Sequence, residues 1–496
     1  MATAPSVPAL TTAAVRAIET LGGGQPGRAD QIADRLAEAI RLGLIPAGER
    51  LPPEAALSEQ LGVSTLTLRE ALATLRERGL VVTRRGRAGG SFVARSSGSI
   101  LGREGLATLT ARQLREVADL RQASSGTAAA LAAQRATALE IEALRRRADK
   151  LATATTPDER RRADSEFATE LAAAAQSPRL AQQEANLRAE LGDYVWSLMD
   201  VEQHAEAVRA RHALVDAIAE ADPDLARRSA ETEIAYEAKL LIQRRIELYR
   251  AEGQSAPMNL ERTWAALADD IARVFHSLRQ TADAFQASYV RATQASERYA
   301  LADLGMLRPR LHETLESFSD LAVGTGIVVA PDVLHDAAHW LEWWWRRSDG
   351  TPEALRVNLD PDAPDYFDYL NDEWFDVPIR TRRQHVVGPY VDYACTNEYT
   401  FTFAVPMFED GERPLGIAAM DVLCDHLERR IMPALCAEPE QLVLLNSDGR
   451  LIAANTTGLA PGDRFAAHSG DVAVDRSAAL ARLCAMTGWS VRSSGP

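Results

Sequence analysis

The stretch Leu51-Pro-Pro-Glu-Ala-Ala-Leu-Ser-Glu-Gln-Leu-Gly-Val-Ser-Thr-Leu-Thr-Leu-Arg-Glu-Ala-Leu72 leaves little choice of local fold. Pro53 suits the first turn of a helix, where a missing N–H costs nothing. Ala56, Leu57 and Leu61 then make an apolar stripe at helical spacing. Gly62 can take positive φ and stop that helix, and Ser64 is a good N-cap for the next one. In the second helix Leu66, Leu72 and Leu75 are expected to face inward, with Leu68 beside them. Thr65, Thr67 and Arg69 are expected to face out. Two short helices about a tight turn, the second polar at its start, have the layout of a helix-turn-helix, which reads base edges in the major groove.

The flanks extend the pattern. Ile32, Leu36 and Ile40 recur every four residues on a preceding helix. Gly79 to Val93 reads as two short strands around a loop rich in Gly and Arg, a wing. Residues 28–95 therefore resemble the winged helix of GntR-family bacterial transcription regulators. The resemblance rests on Pro46-Ala-Gly48, Leu51-Pro-Pro-Glu54, Gly62-Val-Ser64, Leu68-Arg-Glu-Ala-Leu72, Arg78-Gly-Leu80 and Gly90-Ser-Phe-Val93. It implies double-stranded DNA as partner. The candidate contacts are Ser64, Thr65, Thr67 and Arg69, with Arg84, Arg85, Gly86 and Arg87 at the wing tip. Arg69 leads, because a guanidinium can take a phosphate or a guanine edge. Relatives carry arginines at two positions that are Ala55 and Thr65 here, so the operator does not transfer from the family.

A net charge of −15 over 496 residues looks wrong for a DNA binder until it is divided. Residues 1–100 hold 12 Arg against 9 Asp and Glu, while the remainder holds 43 basic and 61 acidic residues. Salt screens charges beyond roughly 10 Å, so the local field of the basic head governs phosphate contact. The first residues show no basic, then apolar, leader, and no run approaches the ~18 apolar residues of a membrane span. A cytoplasmic protein without membrane contact is expected. Its four cysteines have no CxxC spacing and are read as structural thiols.

From Thr110 to about Arg250 the chain reads as six helices, over 112–134, 138–152, 158–176, 178–201, 204–221 and 223–250. This region resembles the all-helical effector-binding and dimerisation (FCD) domain of the FadR branch of GntR regulators. The matching residues are Asp119-Leu-Arg121, Ala132-Ala-Gln-Arg135, Asp164 with Phe167, Ser177-Pro-Arg-Leu180, and His212. The resemblance implies a homodimer. It also implies, in many members, a divalent metal held by one Asp and three His. Carried over, that set is Asp164, Ala168, His212 and Glu233. At most three ligands, Asp164, His212 and Glu233, remain; they could hold a metal weakly, but no cofactor is required and no tightly held metal is expected. His212 is alternatively a core histidine paired with Asp164 or Glu233. Arg121 could hold an effector carboxylate or form a structural ion pair.

Residues 259–318 read as one or two long helices. Trp264, Leu267, Ile271, Phe275 and Leu278 form a seam expected to pack on a partner helix. Beyond Gly324 the chain turns to strands, at Gly326–Ala330, Gln384–Val387, Tyr399–Val405, Leu415–Val422 and Leu442–Leu445. This α+β pattern resembles a Cache sensor domain, on Tyr369-x4-Trp374-Phe375, Gly388-Pro-Tyr390-x-Asp392, Phe403-Ala-Val-Pro406 and Gly416-Ile-Ala-Ala-Met-Asp421. Leu442 to Ala453 looks like the first hairpin of a second, incomplete module. The resemblance implies a ligand pocket at Tyr369, Asp372, Trp374, Tyr390, Asp392 and Asp421. Amino-acid-binding relatives carry an arginine where Asp372 stands. Aromatics and carboxylates without that arginine favour a cationic ligand.

The resulting expectation is a multidomain chain. A flexible arm (1–27) precedes a winged helix (28–95), an all-α bundle (108–250) and a Cache-like α+β sensor (258–496). It would be a dimeric, ligand-responsive regulator on a palindromic operator, with a small amine or quaternary ammonium as effector. Two alternatives stand beside it. One is the same regulator reading a carboxylate in the bundle. The other is an enzyme in the C-terminal region, although the chain has no nucleophile elbow, HExxH, P-loop or GxGxxG.

Overall fold

A computed structural model describes residues 29–41, 45, 50–77, 80–84, 90–93, 105–255, 260–347, 350–364, 366–393, 398–465, 472–473 and 477–493. The chain divides into two compact units, Met1–Arg245 and Ile246–Pro496. The arm at 1–27 lies outside the described residues.

The first unit opens with α1 (Ala29–Arg41), α2 (Glu54–Gln60) and α3 (Thr65–Glu77), followed by strands β1 (Val81–Arg84) and β2 (Gly90–Val93). Gly62 takes φ +64°, which ends α2 and turns the chain. Ser64 Oγ accepts from the Thr67 N–H at 3.1 Å and caps α3. Leu36, Leu57, Leu68, Leu72, Leu75, Val81 and Val93 share one core. Leu66 departs from expectation, being 67 % exposed, while Leu68 is fully buried. The inward stripe runs through positions 68, 72 and 75, at spacings of four and three. Leu66 lies about 200° from Leu68, on the outward face. β1 and β2 pair antiparallel from Val81↔Val93 to Arg84↔Gly90. Arg85, Gly86 and Arg87, and the side chain of Arg84, lie outside the described residues.

Six helices follow: α4 (Ala111–Arg135), α5 (Ala138–Thr153), α6 (Pro157–Ala174), α7 (Pro178–Leu198), α8 (Val201–Ala219) and α9 (Pro223–Ser255). Four of their starts are written in the sequence as capping boxes. Thr110 with Gln113, Thr137 with Glu140, Thr156 with Glu159 and Asp200 with Gln203 each satisfy two helix-end donors reciprocally. The core between them combines Leu144, Phe167, Leu214 and Ile218 with many alanines, which let helix axes approach closely. Thr110 is fully buried. Thr110→Ala should therefore lower the unfolding free energy by about 1 kcal/mol, the usual value of an N-cap, as read by urea denaturation.

The second unit begins with α10 (Leu260–Gln294), α11 (Leu301–Leu304) and α12 (Arg308–Ser317). Residues 259–318, read as one or two long helices, form one long helix and two short ones, with Ser296 at φ +59° just past α10. The seam of α10 is buried as expected, and α10 packs both on the helix over Ala478–Thr487 and on a sheet. Phe275 meets Phe403 edge to face at 5.6 Å. That sheet has six antiparallel strands: β3 (Ala322–Val329), β4 (Trp340–Arg346), β5 (Pro352–Ala354), β6 (His385–Asp392), β7 (Glu398–Glu409) and β8 (Arg413–Leu423). Their spatial order is β5-β4-β3-β8-β7-β6. Strand β4 is not expected from the sequence. Helix α13 (Glu373–Thr381) sits between β5 and β6 in sequence. At the centre, Gly416 has φ +133°, and a Cβ there would fall 2.1 Å from the Val328 carbonyl oxygen. Only glycine permits β3 and β8 to approach this closely.

After α14 (Cys424–Ala437), β9 (Leu442–Leu445) and β10 (Leu451–Ala454) form the expected hairpin. They belong to a four-stranded sheet with β11 (Val472–Ala473) and β12 (Ser490–Ser493), in the order β10-β9-β12-β11. Helix α15 (Ala478–Thr487) precedes β12. No helix among the described residues is long and apolar enough to cross a membrane.

Candidate functional site

The outward face of α3 is the first candidate. Thr65, Leu66, Arg69 and Glu70 are exposed there. Arg69 donates from Nε to Glu54 Oε2 on α2 at 2.6 Å, with both side chains largely in water. The pair bridges the two helices and fixes the direction of the guanidinium. Ser64 and Thr67 are engaged with each other, their hydroxyl oxygens 2.8 Å apart, so they order the turn that presents the face. Leu66 is a member of the face that sequence reasoning misses; its apolar side chain suits a thymine methyl.

The polar interior of the bundle is the second. Arg211 on α8, buried, reaches Asp164 Oδ1 on α6 at 2.6 Å and Glu233 Oε1 on α9 at 3.0 Å. Glu237 Oε1 lies 4.0 Å from the same guanidinium, and the ring of Phe167 lies 4.8 Å from its centre. Arg121 on α4 donates to Glu237 Oε2 at 2.8 Å. Of the two sequence readings of Arg121, the structure places it in the ion pair. His212 differs from both of its expected settings. It points outward, with Nε2 3.0 Å from Asp149 Oδ1 and Nδ1 2.9 Å from the Val208 carbonyl oxygen. The Asp149 hydrogen bond raises its pKa against the opposing cost of burial. One helical position separates residues 211 and 212, about 100° of rotation, and it is Arg211 that faces in. Asp164, His212 and Glu233 are therefore not brought together. No group of three or more His, Cys, Asp or Glu suited to a metal occurs among the described residues.

The third candidate is a cavity of about 240 Å³ on one face of the large sheet. Side chains alternate across a strand. Phe403 and its neighbours on that side meet α10, so Thr402 opens on the opposite face. Five of the six expected residues line the cavity: Asp372, Trp374, Tyr390, Asp392 and Asp421. Trp343, Phe367, Glu373, Tyr393 and Thr402 join them, unforeseen. Tyr369 does not line it. This residue is fully buried behind the wall, donates its hydroxyl to the Val329 carbonyl at 2.8 Å and stacks on Trp374 at 6.4 Å. Burial pushes its pKa up to about 12, so it is a neutral support.

The acidic end of the cavity is a relay. Thr402 Oγ1 donates to Asp421 Oδ1 at 2.6 Å, across the Thr402↔Asp421 pair of β7 and β8. The Tyr390 hydroxyl lies 2.6 Å from Thr402 Oγ1 and, with that proton committed to Asp421, donates to it. Burial, then the charge of Asp392, pushes the Asp421 pKa up to about 8, against the Thr402 hydrogen bond. Asp372 is also raised, by burial and then by Asp368, while a Trp374 hydrogen bond lowers it. No Lys, Arg or His is among the described lining residues. With its pKa raised, the Asp421 carboxyl holds its proton at neutral pH and would ionise more readily with a cation beside it.

Comparison with known proteins bears on the first unit. The profile of bacterial regulatory proteins of the gntR family matches residues 28–93, and that of the FCD domain matches residues 116–235. RmpR of Mycobacterium gastri, named as an HTH-type transcriptional regulator, is 44 % identical over 206 residues, which are 40 % of this chain and 75 % of that protein. Among solved structures, Escherichia coli McbR/YncC is 21 % identical with a TM-score of 0.29, over 44 % of this chain and 99 % of that one. The extracellular domain of the histidine kinase mmHK1S-Z3 is 13 % identical with a TM-score of 0.35, over 50 % and 94 %. At these scores neither structure informs on function. The identity to RmpR, with both profile matches in the same region, means that the chain belongs to the GntR family of bacterial transcription regulators, with a DNA-binding helix-turn-helix followed by an FCD domain.

Proposed function

We propose that this regulator binds a palindromic operator as a homodimer and responds to a small ammonium compound held in the cavity of its second unit. The carrying observation is the cavity wall, with aromatic faces from Trp343, Trp374 and Tyr390, carboxylates from Asp372, Asp392 and Asp421, and no basic side chain among the described lining. An ammonium group gains from both features, through charge pairing and through the ring quadrupole. The long helix packed on an antiparallel sheet supports the Cache-like reading of this unit, as do the motif residues that meet at the cavity. Two half-sites must match the spacing of two recognition helices, about one helical turn or a multiple of it. A ligand that favours one spacing by about 1–3 kcal/mol is sufficient to change operator occupancy.

A thermal-shift screen of the whole chain tests the ligand class. Tetramethylammonium or choline should raise the melting temperature, whereas simple mono- and dicarboxylates should not. Saturation at ~100 times Kd corresponds to about 2.7 kcal/mol of added stability. Stabilisation by a carboxylate, with none by any amine, would remove the proposal.

The pH dependence has a definite sign. Asp421 titrates in the folded protein near 8, above its ordinary value of 3.8. Between those values the folded state holds a proton that the unfolded state has lost, so this group's contribution to stability falls as pH rises toward 8. Cation binding instead needs the carboxylate ionised. Tetramethylammonium, whose own charge is fixed, should bind up to about tenfold more tightly per pH unit as pH rises toward 8, then level off. Titration calorimetry across pH 6–9 checks this.

A further inference from the structure

We propose that Arg211 takes the place of the divalent cation that related bundles use, so that this FCD domain closes on a charge carried by its own chain. The resemblance of the bundle to the metal-binding branch predicts a cation between the helices. The structure has one, a guanidinium. Arg211 is 3 % exposed and stands between Asp164 on α6 and Glu233 and Glu237 on α9, with Arg121 of α4 on the far oxygen of Glu237. Four helices are thereby tied through one charge cluster. Phe167 covers the guanidinium face at 4.8 Å.

The geometry is incompatible with the metal on two counts. His212, the retained imidazole, faces Asp149 on the outside of the bundle. A divalent ion among the same carboxylates would have to sit against the guanidinium, and like charges in a dry interior repel strongly. The consequence concerns sensing. A metal-bound site leaves coordination positions that an organic acid can complete. A guanidinium that stands among the internal carboxylates, hydrogen-bonded to Asp164 and 3.0 Å from Glu233, occupies the place of the ion and leaves no such position, so the bundle does not read a signal through metal coordination.

The test uses the full chain and three readouts. Elemental analysis of protein purified without chelator should show no stoichiometric Mn, Ni or Zn. EDTA, and Mn²⁺, Ni²⁺ or Zn²⁺ added singly, should move the melting temperature of the wild type by no more than about 1 °C. Arg211→Met leaves buried carboxylates uncompensated, and should lower the melting temperature by about 5–15 °C. The variant that also carries Asp164→Asn and Glu233→Gln removes the stranded charge and should recover most of that deficit. If Arg211→Met alone does not fold, folding of the triple variant gives the same support. Overturning results are one tightly held metal per chain whose removal by EDTA lowers the melting temperature, a wild-type melt for Arg211→Met, or a triple variant no more stable than Arg211→Met.

Discussion

Arg69→Ala should weaken binding to a duplex selected by the wild-type protein by about 1–3 kcal/mol for each base or phosphate that the guanidinium holds, or roughly 5- to 150-fold, with little change in stability. The two halves of that result have separate causes. The Arg69 side chain is 64 % exposed, and its pairing with Glu54 is a surface ion pair. Such pairs contribute about 0–1 kcal/mol to folding. If α3 is the reading helix, the same guanidinium would meet a phosphate or a guanine edge from its first turns, where each good hydrogen-bonded pair has a larger effect. Glu54→Ala is the internal control. It leaves the arginine but removes its tether, so its drop in affinity should be smaller. Gel-shift titrations beside thermal melts separate the two variables. Equal affinity of Arg69→Ala and wild type would mean that α3 does not read DNA through this residue.

The second large effect is expected at Asp421. Asp421→Asn keeps the shape of the side chain and its place beside Thr402 while deleting the charge. If the cavity holds an ammonium group, the variant should lose about 2 kcal/mol or more of tetramethylammonium affinity, about 30-fold, the usual scale for stranding one member of a buried charge pair. It should not lose stability. Burial pushes the Asp421 pKa up to about 8, so ionisation opposes folding, and the asparagine variant should be the more stable protein above pH 8. Trp374→Ala should reduce affinity by less, about 0.5–2 kcal/mol, because a single aromatic face is removed. Calorimetry on the three proteins orders these effects. An Asp421→Asn variant that binds the cation as tightly as wild type would place recognition elsewhere.

The helix-turn-helix is readable because its signals are local. Gly62 needs positive φ, Ser64 caps its own helix, and neither requires knowledge of the rest of the chain. Leu66 misleads because a leucine two residues before the true stripe looks apolar wherever it points. The boxes Thr110-x-x-Gln113, Thr137-x-x-Glu140 and Thr156-x-x-Glu159 are present in the sequence and mark the helix starts to the residue. Arg211 is hidden by its neighbour. The family pattern draws the eye to His212, and the inward residue is settled by packing, not spacing. Strand β4 escapes notice because its run of tryptophans lacks the alternation of a half-buried strand. In the cavity, motif resemblance finds the carboxylates. Thr402 follows only once the β7–β8 register pairs it with Asp421. Tyr369 belongs to the same motif yet serves the wall from behind, a distinction that depth alone can make.

Gly416 carries a mechanical consequence. With no room for even a methyl group between β8 and β3, glycine dictates the spacing of the two central strands at the Val329↔Gly416 pair. Asp421 stands five residues further along the same strand, opposite Gly324 of β3. The carboxylate that the cavity presents is thus set on the ladder whose separation Gly416 determines.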